Sequence, residues 1–160
     1  MRLCLLMLLL AVPAAFATPP LAASAPQDTP GSVHADKVAA FERAIAPYVA
    51  KARATYPAAK KRYLAGLPRG DGFYVTTRLH DKDGKWEQVF ISVSRIAEGK
   101  TKGDDKITGT IASKLTLVKD FARNQPYTFP ESELMDWTIA KHDGREEGNF
   151  VGKFLETYRP

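Results

Sequence analysis

The sequence predicts an α+β domain: short N-terminal helices, then an antiparallel sheet of about four to six strands, then a C-terminal helix. Three observations carry this. Apolar residues recur at three- and four-residue steps from Val38 to Val49, every second residue is apolar through much of Phe73 to Ile96, and helical spacing returns from Phe150 to Leu155.

The first helix opens after Asp36, a residue suited to cap it, and places Val38, Phe41, Ile45 and Val49 on one face, with Lys37, Glu42 and Arg43 elsewhere. Pro47 is expected to end or kink it, because proline lacks the amide hydrogen and clashes with the preceding turn. An alanine-rich stretch from Tyr48 to Ala54 and a third piece from Tyr56 to Ala65, closed by Gly66 and Pro68, complete two or three short helices.

After Asp71-Gly72 the period becomes two, with Phe73, Val75, Thr77 and Leu79 alternating against Tyr74, Thr76, Arg78 and His80. Asp81-Lys82-Asp83-Gly84 reads as a hairpin turn. The return strand, Trp86 to Ile96, sets Val89, Ile91 and Val93 against Trp86, Gln88 and Phe90. A Gly- and charge-rich loop from Glu98 to Lys106 precedes a strand at Ile107 to Ala112. Leu115 to Val118, Tyr127 to Phe129 and Leu134 to Ala140 are further strand candidates, His142-Asp143-Gly144 a turn, and Gly148 or Asn149 to Tyr158 the final helix.

Ahead of this domain, Met1 to Ala17 has the charged start, apolar run and Ala15-Phe16-Ala17 site of a cleavable signal peptide. Pro13, Pro19 and Pro20 speak against a buried helix there, and Ala23-Ser24-Ala25 offers a second cleavage site. Residues 18–32 read as a Pro- and Ala-rich tether, and 33–160 as a single domain. The expected mature protein is periplasmic or secreted, with no transmembrane segment. Cys4 precedes the apolar run and leaves with it, so neither disulfide, thiolate chemistry nor a lipid anchor is expected.

Catalytic and metal chemistry find little support. His34, His80 and His142 lack ligand spacing, no Gly-x-Ser-x-Gly elbow occurs, and Gly99, Gly103 and Gly109 do not form a phosphate loop. No cofactor is expected. A wall-cleaving glycosidase would need two carboxylates about 5–9.5 Å apart. Asp104, Asp105, Glu131, Glu133, Asp136, Glu146 and Glu147 are the candidates, and solvated loop charge is the ordinary alternative.

The charge is unevenly spread. Between Thr18 and Gly72 eight basic residues face four acidic ones, whereas Glu131 to Glu147 carries six acidic and two basic. Either this is an ordinary solvated surface, or it is a two-toned one that docks a complementary partner. On the second reading Lys51, Arg53, Lys60, Lys61 and Arg62 form the partner-binding set, projecting together into solvent.

Residues 52–155 resemble the YegJ-like bacterial domain known as domain of unknown function 2314. The resemblance rests on Ala52-Arg53-Ala54-Thr55-Tyr56-Pro57, the run from Trp86-Glu87 to Ile91, Gly109-Thr110-Ile111, Asp136-Trp137, and Gly148-Asn149 through Leu155. Asn124-Gln125-Pro126-Tyr127 stands where typical members have a Gly-Asp approach. The resemblance implies a small α+β domain with no established activity, cofactor or ligand, similar in broad character to immunity-like domains found beside bacterial toxins. Trp137 is either core, with Asp136 satisfying nearby amides, or a binding anchor.

The function expected from these readings is non-enzymatic binding of a protein or anionic envelope component, not nucleic acid. The alternatives are an immunity-type inhibitor of a periplasm-targeting toxin and, third, a cell-wall enzyme.

Overall fold

The structure, a computed structural model, describes residues 38–101 and 104–159. The predicted signal peptide, the tether, His34 and Asp36 lie outside the described residues.

Helix α1 is continuous over Val38–Leu64, 27 residues, where the sequence predicts two or three pieces. Pro47 and Pro57 both lie inside it. Each deprives a carbonyl four residues back, at Arg43 and Arg53, of its helical partner. Those four residues are exposed, so water can reach the orphaned carbonyls. On the opposite side Phe41, Ile45, Ala52, Tyr56 and Ala59 form one buried stripe that runs past both prolines. Burying that stripe outweighs two local penalties of about 3 kcal/mol each. The helix closes at Gly66, whose φ of 96° suits glycine.

Six antiparallel strands follow: β1 (Gly72–His80), β2 (Trp86–Ala97), β3 (Lys106–Ile111), β4 (Pro126–Pro130), β5 (Asp136–Ala140) and β6 (Glu146–Gly148). Their order across the sheet is β4-β3-β2-β1-β5-β6. Helix α2 (Phe150–Thr157) ends the domain, giving the predicted α+β class. The predicted strand Leu115 to Val118 is instead a loop. Its amides at Thr116, Leu117 and Val118 donate to the buried Glu87 carboxylate and so cannot pair with a strand.

The hairpin aligns Val75 with Ile91, Thr77 with Val89 and Arg78 with Gln88, as the alternation requires. Phe73, Val75, Val89 and Ile91 join Ile107, Phe129 and Ile139 beneath Ala52, Tyr56 and Ala59 of α1. The N-terminal half of α1 packs Phe41 and Ile45 on Met135 and Val151, and Tyr48 stacks on Phe154 of α2 at 4.4 Å. Tyr74, Phe90 and Ala140 form a smaller cluster on the other side of the sheet.

The sequence motif residues tie these elements together. Trp137 is buried, and its Nε1 donates to Thr55 Oγ1 on α1 at 3.0 Å. Asp136 accepts the Trp137 amide at 2.8 Å and the Val151 amide at 2.6 Å, serving the N-terminus of α2, which has no cap from the Asn149 side chain. A Cβ on Gly148 would lie 2.2 Å from the Trp137 carbonyl, so only glycine fits there. Asn149 follows in the left-handed region at φ 54°. Gly109 is equally confined, since a Cβ there would lie 2.1 Å from the Ser92 carbonyl.

Candidate functional site

The five basic residues expected to form one face do not share one. At 3.6 residues per turn, Lys51 and Arg62 fall within about 20° of each other, as do Arg53 and Lys60, and the two pairs flank the buried stripe on opposite sides. Lys61 points away from both and is exposed. Lys51 lies over the Phe150 ring at 4.8 Å, and Arg62 pairs with Glu147. On the other flank Arg53 Nε donates to the Leu134 carbonyl at 2.8 Å and its Nη2 to that of Ser132 at 3.2 Å. Lys60 is 18 % exposed and bonds both Asp105 and Glu131.

The two-toned charge pattern is therefore answered largely within the chain. Basic α1 meets the acidic 131–147 stretch at Lys60–Glu131 and Arg62–Glu147, which latches the helix across the sheet from both sides. Burial works against the Lys60 ammonium, but hydrogen bonds to Asp105 and Glu131 prevail and raise its pKa. The Gly99 amide, then Lys60, holds Asp105 below the usual carboxylate range.

Of the seven candidate carboxylates, Asp105 and Glu131 converge, on the Lys60 ammonium. A general acid needs a carboxyl held protonated at working pH, and Asp105 is shifted the other way. Asp136 serves backbone amides, Glu146 accepts from Asn149, and Glu147 lies between Arg62 and Lys141. Among the described residues no group of three or more His, Cys, Asp or Glu could hold a metal ion. No helix among them is long and apolar enough to cross a membrane.

What the fold does build is a cleft of about 710 Å³ between α1 and the far end of β1. Ala46, Val49, Ala50 and Arg53 line its helical wall, Thr77, Arg78 and His80 its strand wall, and Ser132, Glu133 and Met135 close one end. Its size is that of an ordinary ligand site, within the range of about 300–1,000 Å³.

The strand wall is open because β5 is shorter than β1. The last β5 partner of β1 is Thr76, opposite Asp136, yet β1 continues to His80. Backbone groups of alternate residues face the same edge of a strand. The Thr76 carbonyl accepts the Met135 amide at 2.8 Å, which sets the even-numbered residues toward β5, while Asp81 donates to Lys85 on the hairpin side at 2.9 Å. The amides and carbonyls of Arg78 and His80 therefore face the cleft edge, past the start of β5.

Two guanidiniums border this edge. Arg78 lies over the Trp86 ring at 4.5 Å and Nη2 bonds Glu42 at 2.5 Å, yet its Nε is buried with no hydrogen-bond partner among the described residues. Such a donor costs about 1–3 kcal/mol. Arg53, anchored on the Leu134 and Ser132 carbonyls, stands at the closed end. With Glu42 and Glu133 also present, the lining carries two formal charges of each sign besides His80.

Sequence reading singled out Arg53 but not the cleft. The available signal was Arg78, a cation inside an otherwise apolar and hydroxylic strand, together with the small residues Ala46 and Ala50. The cleft itself depends on where β5 begins, which no local pattern encodes. No protein-family model matches this chain, and no curated protein matches it either.

Proposed function

We propose that this chain is an exported, non-enzymatic binding domain whose working surface is the cleft between α1 and β1. The observation that carries the reading is the edge of β1 at Arg78 and His80, roofed by α1 and extending beyond β5. An open strand edge in a half-apolar cleft suits polypeptide, which can satisfy main-chain donors and acceptors. An anionic wall polymer is less suited, because Lys60 and Arg62 are engaged by the protein's own acids. The same reading takes Met1 to Ala17 as a signal peptide, so that the binding event occurs in the cell envelope.

The test is Ala46→Trp, an exposed helix position on the same flank as Glu42 and Arg53, whose enlarged side chain fills the cleft without entering the core. The variant should keep the wild-type thermal midpoint and lose the envelope partner that the wild-type mature protein retains by crosslinking. Retention of the same partner by the filled variant would place binding elsewhere. Turnover of a wall substrate by the purified domain, abolished by Asp105→Asn or Glu131→Gln, would replace the reading with catalysis.

A further inference from the structure

We propose that the cleft recognises the free C-terminal end of a polypeptide, taken up as an added strand on β1 with its carboxylate between Arg78 and Arg53. This rests on the binding reading above and specifies its ligand.

The geometry selects the end of a chain rather than its middle. A segment lying antiparallel to β1 continues the line of β5 and runs from His80 toward Thr76. There it meets Ser132–Met135, the chain entering β5, which is held in place by the Thr77 hydroxyl on the Glu133 carbonyl at 3.3 Å and by Arg53 on Leu134 and Ser132. A segment that stays paired to the β1 edge cannot pass this barrier and ends against it.

The closed end offers two guanidiniums to an entering carboxylate, which has to share them with Glu42, the present partner of Arg78, and stand beside Glu133. Among the described residues the buried Arg78 Nε has no hydrogen-bond partner, and Arg53 bonds carbonyls through Nε and Nη2 but not through Nη1. A terminal carboxylate supplies an acceptor to Arg53 Nη1 and, once the Arg78 side chain turns to uncover its Nε, to that donor as well; guanidinium–carboxylate hydrogen bonds are among the strongest available to a protein. A segment laid parallel to β1 would instead bring its ammonium group to the same two cations. Main-chain bonds to Arg78 and His80 hold the segment's backbone, and Ala46, Val49 and Ala50 leave room on the helical wall for one apolar side chain.

The probes are N-acetyl-Ala-Ala-Leu with a free carboxylate and the same peptide as its C-terminal amide. Each is titrated into the 15N-labelled mature domain and followed by NMR. The acid should shift the backbone amides of Arg78 and His80 and the Arg78 Nε–H signal, and should bind at least about tenfold more tightly than the amide, the loss expected for one charged hydrogen-bonded contact. Ala46→Trp should abolish the shifts. Arg53→Gln and Arg78→Gln should each reduce the preference for acid over amide, and the two variants cover each other should either fold poorly. Equal binding of acid and amide overturns the carboxylate assignment. Shifts that avoid Arg78 and His80 overturn strand addition. If neither peptide binds while Ala46→Trp still abolishes partner retention, the cleft stands as the working surface and the C-terminal ligand falls.

Discussion

Replacing Trp137 tests how the Asp136-Trp137 pair holds the domain together. The indole is 7 % exposed, meets the Phe150 ring edge-on at 6.0 Å, and bonds Thr55 on α1. Trp137→Ala removes the ring, the edge contact and the hydrogen bond in one step, and emptying such a site costs about 3–5 kcal/mol. Trp137→Phe keeps most of the apolar volume and loses the indole donor, for about 1–2 kcal/mol including the residual void. Against a domain stability of about 5–15 kcal/mol these are large and unequal losses. At roughly 4 °C per kcal/mol for a domain of this size, the alanine variant should melt about 12–20 °C below wild type and the phenylalanine variant about 4–8 °C below. Thermal unfolding followed by near-UV circular dichroism, with urea titration at 25 °C, gives both numbers. A fall of under about 3 °C for Trp137→Ala would refute the core assignment. Equal falls for the two variants would assign the whole effect to the Thr55 bond and none to packing.

Gly109→Ala should cost about 1–3 kcal/mol in urea titration, because the new methyl meets the backbone carbonyl of Ser92, which no side-chain rotation can move away. Lys60→Glu should lower the thermal midpoint sharply by setting a third carboxylate beside Asp105 and Glu131, whereas the neighbouring Lys61→Glu should change stability by no more than about 0.5 kcal/mol. Glu147 is held at a pKa of about 2 by Arg62 and then Lys141. Because its folded pKa lies below the ordinary 4.5, its contribution is complete above that value and is lost as pH falls through about 2. The difference in thermal midpoint between wild type and Glu147→Gln should therefore hold steady from neutral pH to about 4.5 and shrink below it; a difference that does not vary with pH would remove the ion pair from the account.

Much of the sheet could be read directly from residue spacing. The β1–β2 hairpin and α2 announce themselves because a strand or amphipathic helix with one buried face writes its own period into neighbouring residues. The turn at His142-Asp143-Gly144 was legible for a similar reason: Gly144 sits at φ 84°, where glycine is favoured. β6 was missed. Its residues, Glu146, Glu147 and Gly148, have no apolar alternation, and they form a strand only because β5 has a free edge beside them. Leu115 to Val118 misled in the opposite direction, since the carboxylate that takes its amides lies about thirty residues away at Glu87.

What the sequence determined by itself was the α+β class, the order of most elements and the alternation that points one face of the hairpin inward, because each follows from interactions among near neighbours. The tertiary structure decided the rest. It kept α1 whole through two prolines, since a single buried stripe favours continuity more than each proline opposes it. It turned an apparently partner-seeking basic helix against the protein's own acidic stretch, since opposite charges distant in sequence come together on folding. And it opened the cleft, because β1 extends past the start of β5 and only the packed sheet determines which backbone groups that difference leaves at an edge.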